Sequence, residues 1–160
     1  MIEIKKYFAN ENLEDNLCKT RKAIVINISI NIIVITTMVI SLGNLFGISV
    51  YLFPFLIPLA IAVMCSPTLF TIKKHAHMIK AVIITNKQVE VVTPAFFWEK
   101  EQTIIIGRDE MLTEKITLSL CTNADRGMKI KKGKKLVGYV MDYFFEDYQE
   151  LCAELKVKQE

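Results

Sequence analysis

The sequence predicts a membrane α-helical hairpin followed by a small α+β domain, an antiparallel sheet with a C-terminal helix. Three observations lead to this fold class. The chain carries no Asp, Glu, Lys or Arg from Ala23 to Ile72. Short β-branched segments separated by turn residues follow this stretch. Apolar residues then recur at helical spacing near the C-terminus.

The uncharged stretch is too long for one membrane helix. A helix crosses a hydrocarbon core of ~30 Å with ~20 apolar residues. Gly43, Asn44 and Gly47 supply turn chemistry in the middle. We therefore predict transmembrane helices near residues 23–42 and 48–72. A signal peptide would have a much shorter apolar region.

Basic residues on both flanks predict the orientation. They are Lys19, Arg21 and Lys22 before the stretch, and Lys73, Lys74 and Lys80 after it. Such flanks stay in the cytoplasm. The chain is thus predicted to be a multi-pass protein of the inner (cytoplasmic) membrane with both termini cytoplasmic. Residues 1–22 form a cytoplasmic N-terminal segment, and residues 73–160 form a cytoplasmic ligand-binding domain.

The N-terminal segment has an apolar face. Its members at approximate helical spacing are Ile4, Tyr7, Phe8, Leu13 and Leu17. This spacing predicts an amphipathic helix at the membrane surface.

Polar residues and prolines mark the two predicted spans. Asn27 and Asn31 are four residues apart and share one helix face. Amides in hydrocarbon need partners, so this face is expected to contact another helix or to line a pore. Pro54 and Pro58 each remove a helical hydrogen bond, which predicts a kink.

The cytoplasmic domain is predicted to have six strands and one helix. The predicted strands are residues 79–85, 88–93, 103–106, 115–121, 128–131 and 134–141. Asn86 and Lys87 form a hairpin turn, and a second turn covers residues 123–127. Asp142 is the predicted N-cap of the C-terminal helix.

Catalytic and metal-binding signatures are missing from the sequence. The four cysteines are widely separated and form no C-x-x-C pair, which fits a reducing cytoplasm. His75 and His77 lie near no acidic or thiol group in the sequence and are expected at the surface. No nucleophile or phosphate-loop motif is present. We therefore expect a non-enzymatic protein without a cofactor or metal.

A cationic run is the strongest remaining signal. Six of the ten residues from Arg126 to Lys135 are basic and none is acidic. Three interpretations remain open: protection of an edge strand, binding of anionic lipid, and binding of a soluble polyphosphate ligand. The predicted ligand-binding residues are Arg126, Lys129, Lys131, Lys132, Lys134, Lys135 and Tyr139.

Two families resemble this layout. The hairpin from Ile79 to Thr93 and the segment DYFFEDYQELCAEL resemble the bacterial pleckstrin-homology-like domain, which follows paired membrane helices. The five or six strands expected here fall short of that family's seven. The resemblance implies a membrane protein that binds lipid or protein.

The second resemblance rests on length, order of parts, basic patch and lack of catalytic groups. In these respects the chain resembles a small two-span membrane effector of type III CRISPR defence. That resemblance implies cyclic tetra-adenylate as ligand, a homo-oligomer with a tetramer favoured, and perturbation of the lipid bilayer in antiviral defence. An immunity protein against a membrane-targeting toxin is a further alternative.

Overall fold

The structure is a computed structural model that describes residues 4–47, 50–119 and 124–155. It divides into two compact units. One unit combines Met1–Leu17 with Lys74–Glu160, and the other is Cys18–Lys73. The first unit is called the β domain below, because its described residues contain all the strands.

Two long helices account for the uncharged stretch. Helix α1 covers Glu11–Leu45 and helix α2 covers Phe53–Ala76, with a short 3₁₀ helix at Val50–Leu52 between them. In their most apolar windows only 11% and 6% of residues are buried. A core helix of a soluble protein would be mostly buried. By length and composition, both helices are long and apolar enough to cross a membrane of ~30 Å.

The structure shows how the two asparagines of α1 and the two prolines of α2 are placed. The Asn31 Nδ2 donates to Asn27 Oδ1 at 2.9 Å, so the two amides partner each other along one helix. Pro54 lies in the first turn of α2, where no helical hydrogen bond is lost. Pro58 lies inside α2. Of the two prolines, only Pro58 therefore removes a bond from the helix.

The β domain contains two antiparallel sheets. The first has the order β1-β2-β3-β4 and the second β5-β6-β7. The strands are β1 Lys5–Phe8, β2 Ala81–Ile84, β3 Gln88–Thr93, β4 Gln102–Gly107, β5 Met111–Ser119, β6 Ala124–Lys132 and β7 Lys135–Met141. The predicted turn at residues 123–127 is wrong from Ala124 onward, because β6 already pairs with β5 there. Residue 123 lies outside the described residues.

Residues 5–8 form a strand rather than part of the predicted helix. Lys5 pairs with Ile84 and Phe8 pairs with Ala81, so β1 is the edge strand of the first sheet. Tyr7 is buried while its neighbours are more exposed. Pairing with β2 thus overrides the helical spacing. The helical expectation is right only from Glu11, where Leu13 and Leu17 are buried.

Because β1 precedes α1 and β2 follows α2, the helical hairpin is an insertion within the first sheet. Both connections leave from the end where Phe8 pairs with Ala81. We call this the proximal end. The opposite end, where Gln88 pairs with Gly107, is called the distal end.

Alternating burial forms the core of the β domain. In β3, Val89 and Val91 are fully buried, and Met128 and Ile130 are fully buried in β6. Strand β7 contacts the segment between α2 and β2, where Tyr139 N donates to His77 O at 2.8 Å. A Cβ at Gly138 would lie 2.6 Å from His77 O, so this contact needs glycine.

The C-terminal helix begins later than predicted. Asp142–Phe144 form a 3₁₀ turn, and helix α3 covers Tyr148–Glu154 with Asp147 as its N-cap. Phe144 and Phe145, which precede α3, are both buried. Leu151 is fully buried, as its spacing indicated.

Candidate ligand-binding surfaces

Strand β6 divides the cationic run between its two faces. Arg126 lies on the face that also carries Met128 and Ile130, because side chains alternate along a strand. Lys129 and Lys131 lie on the opposite face. The structure therefore places the predicted ligand-binding residues of this run on two faces of the sheet.

One carboxylate occupies the centre of the Lys129 and Lys131 face. Glu114 accepts a hydrogen bond from Lys131 Nζ at 2.6 Å and lies 3.9 Å from Lys129 Nζ. The hydrogen bond from Lys131 lowers the pKa of Glu114. Tyr139 pairs with Lys129 in register and is half-buried. These two lysines thus already have an internal counter-charge.

The tip of the β6–β7 hairpin is different. Lys132 pairs with Lys135 across a turn at Gly133, whose φ is +56°. Lys132 Nζ lies 3.5 Å from Glu110. Lys134 and Lys135 are exposed and make no ion pair within the part of the chain that the structure describes. The tip therefore retains accessible positive charge.

Three turns meet at this tip. Arg108 N donates to Lys87 O at 3.2 Å, and Gly133 N donates to Glu110 O at 2.9 Å. The β2–β3 turn, the β4–β5 connection and the β6–β7 turn are thus joined at the distal end. The basic residues on these turns form what we call the distal cluster: Lys87, Arg108, Lys132, Lys134 and Lys135.

Lys87 and Arg108 were not among the predicted site residues. Each is a single basic residue in a turn, and nothing in the sequence indicates that those turns converge. Arg108 also supports the arrangement, since its Nε donates to Thr85 O at 3.1 Å. It is half-buried, so its guanidinium is less available than the exposed Lys87.

Arg126 lines a separate cavity of about 720 Å³ between β5, β6 and α3. The cavity also contains Lys115, Asp142, Tyr148 and Cys152. Burial raises the pKa of Tyr148 and of the Cys152 thiol. A thiol that stays protonated is a weak nucleophile, so the cavity offers shape and mixed charge rather than a reactive sulfur.

The proximal end carries aromatic residues. His75, expected at the surface, is buried and its ring stacks on Phe96 at 5.8 Å. Asn10 N donates to Phe144 O at 2.8 Å.

Among residues 4–47, 50–119 and 124–155, no group of three metal-binding side chains occurs.

Comparison of the chain with protein-family models, with curated proteins and with solved structures finds no match.

Proposed function

We propose that this chain is a membrane-anchored, non-enzymatic binding protein whose distal cluster recognises a soluble anionic ligand. In this proposal α1 and α2 cross the cytoplasmic membrane and the β domain lies in the cytoplasm. The position of the distal cluster carries the proposal. It stands at the end of the first sheet opposite to the junctions with the helices.

The distal cluster is separated from the junctions along the first sheet. Strand β3 has six residues and joins the proximal end to the distal end. At about 3.3 Å per residue it spans roughly 20 Å. Exposed charges are screened within ~8 Å at physiological ionic strength. The distal cluster is therefore electrostatically separate from the basic residues at the junctions, and we propose a soluble ligand for it.

The β1–β2 pairing supports the proposed topology. Residues 5–8 precede the helices and residues 81–84 follow them, yet they are hydrogen-bonded neighbours. Both flanks must therefore lie on one side of any membrane, which requires an even number of crossings. Two helices of sufficient length satisfy this requirement. The basic flanks favour the cytoplasmic side.

The ligand class that we propose is a cyclic oligoadenylate, with cyclic tetra-adenylate as the first candidate. Lysine and arginine bind phosphates through charge-assisted hydrogen bonds. One cluster per chain would match a four-fold ligand if four chains assemble. Binding would then bias the arrangement of the spans through its difference in affinity between two states, and the oligomer would perturb the membrane in antiviral defence.

Calorimetric titration of the purified full-length chain with cyclic tri-, tetra- and hexa-adenylate tests the ligand. Lys134→Gln with Lys135→Gln removes two charges from the cluster. At ~1.5 kcal/mol for each charge-assisted contact, affinity is expected to fall about 100-fold. The matched control is Lys129→Gln with Lys131→Gln, which removes the same charge from two lysines that share Glu114 as a counter-charge.

An equal loss in both variants would show that only net charge matters, and the distal cluster would not be the site. Absence of binding by the unaltered chain to all three cyclic nucleotides would remove the oligoadenylate from the proposal.

A second candidate, a pleckstrin-homology-like protein that binds lipid or protein, is favoured by the strand count. The sequence predicted six strands, but the described residues of the β domain form seven, in sheets of four and three, followed by α3. The additional strand is β1, from before the helices. The β domain can be isolated by joining residues 1–17 to residues 74–160 through a linker. Binding of this protein to anionic vesicles, without binding to cyclic nucleotides, would favour this candidate over the first.

A further inference from the structure

The tight turn at Phe97 and Trp98 is unusual in its composition. Phe96 and Glu99 exchange backbone hydrogen bonds of 3.0 Å in both directions, so only two residues make the turn. Phe97 has φ +54°. The left-handed region is unfavourable for a residue with a side chain, and such turns normally use Gly or Asn. Strain of this kind is often retained at functional positions.

The same turn presents a large aromatic side chain to the outside. Trp98 is 61% exposed, although tryptophan is usually well buried on average. Phe8 and Tyr143 are exposed to a similar extent, at 62% and 64%. Three exposed aromatic side chains from three separate segments call for a common explanation.

Contacts place all three segments beside the junctions with the helices. Phe97 packs edge-on against Phe96 at 5.0 Å, and Phe96 stacks on His75 in the last turn of α2. Asn10 immediately precedes α1, and its Nδ2 donates to Tyr143 O at 3.4 Å. Phe8 ends β1, two residues before Asn10.

We propose that the Phe97–Trp98 turn is a membrane-interface anchor, with Trp98 placed among the lipid headgroups. The inference rests on the membrane anchoring proposed above. Indole suits this position because its ring is apolar while its N–H can bond to water or headgroups. The buried Phe96–His75 stack would hold the turn in place, and lipid contact would offset the strain at Phe97.

Lipid is the occupant we choose because the aromatic side chains adjoin the helix junctions on both sides. Basic residues, Lys73 and Lys74 at the end of α2 and Lys100 after the turn, are also typical of a segment beside anionic headgroups. A protein partner would not explain why Phe8, Trp98 and Tyr143 all lie beside the two junctions.

Trp98 is the only tryptophan in the chain, so intrinsic fluorescence reports on this turn alone. The full-length chain is reconstituted in vesicles of phosphatidylcholine and phosphatidylglycerol, and flotation measures its association. Brominated lipids are expected to quench Trp98, more strongly when bromine lies near the headgroup. Emission should be shifted to the blue, and aqueous acrylamide should quench weakly.

The control moves the tryptophan to the distal end. Trp98→Phe with Leu112→Trp uses an exposed position that pairs with Lys131. Its emission should be red-shifted, with quenching by acrylamide and little quenching by brominated lipid. If Leu112→Trp disturbs folding, Trp98→Phe with Lys134→Trp places the probe in the exposed turn instead.

The two proposals can fail separately. A chain that floats with the vesicles but shows the same acrylamide quenching at Trp98 as in the control would overturn the anchor and leave membrane insertion standing. A chain that does not float would overturn both the membrane anchoring and the anchor that rests on it.

Discussion

Two turns at opposite ends of the β domain share a backbone shape but differ in chemistry. The turn at Phe97 and Trp98 and the turn at Gly133 and Lys134 each have two residues, with φ of +54° and +56° at the first. The distal turn uses glycine and charge. The proximal turn uses two aromatic residues, one of them in a conformation that glycine would accept more readily.

The difference shows how each turn is specified. No atom lies within 4 Å of the position that a Cβ would take at Gly133, so local preference for glycine is sufficient there. Phe97 is held by Phe96, which in turn stacks on His75 from a distant segment. The distal turn is thus a local structure, whereas the proximal turn depends on tertiary contacts.

The largest expected effect tests whether the β domain needs its N-terminal part, which consists of β1 and the first turns of α1. Residues 79–160 alone should fail to fold, because they lack Tyr7, Leu13 and Leu17, which are buried. Each contributes ~1.5–3 kcal/mol, and whole domains are stable by only ~5–15 kcal/mol. Residues 1–17 joined by a Gly/Ser linker to 74–160 should fold. Amide spectra of the two proteins compare them, and a well-dispersed spectrum of the shorter one would contradict the role of β1.

Next in size is a direct comparison of the two ends. Phe96→Ala should destabilise the linked β domain by ~3–5 kcal/mol, since Phe96 is 1% exposed. Lys134→Ala should change stability by less than ~0.5 kcal/mol, since it alters an exposed turn. Urea unfolding measures both. Similar values for the two variants would remove the distinction between a tertiary and a local turn.

A smaller effect on stability is expected when glycine is removed from the distal turn or introduced into the proximal turn. Gly133→Ala should destabilise by ~1–2 kcal/mol through its positive φ alone. Phe97→Gly relieves a similar strain but loses a ring contact worth ~0.5–1.5 kcal/mol, so its net effect should be near zero. Thermal unfolding of the two variants, measured side by side, compares their stabilities. A large loss in Phe97→Gly would mean that packing dominates over strain.

A further effect, seen only at alkaline pH, is a loss of stability through Tyr7 of β1. Burial and the hydrogen bond that Tyr7 donates to Glu150 raise the pKa of Tyr7 from 10.0 to about 12. The unfolded chain ionises first, so stability holds below pH 10.0 and declines between there and about 12. Tyr7→Phe should flatten this decline in a pH series of urea midpoints. An unchanged slope would assign the decline to other groups.

The sequence allowed the local features of this fold to be predicted. Strand β3 was predicted with its observed bounds, because its β-branched residues alternate in burial between clear turns. The helical pair was indicated by the uncharged stretch. Strand β1 was missed because its partner β2 lies on the far side of two helices, and pairing at such a separation leaves no local pattern.

The candidate site was predictable only in part. The separation of Arg126 from Lys129 and Lys131 follows from the two-residue period of a strand and could have been foreseen. Convergence of Lys87 and Arg108 with the hairpin tip could not, because it depends on how three turns meet. The exposure of Trp98 likewise depends on which aromatic of its cluster faces the core.

The discontinuous first sheet also has a consequence for synthesis of the protein. Strand β1 leaves the ribosome first, but its partner follows only after both helices. At ~5–20 residues per second, more than 70 residues separate the two strands by roughly 4–15 s. During that interval β1 has no neighbour in its sheet, and its edge is open to wrong pairing. The first sheet can therefore close only after both helices have been synthesised.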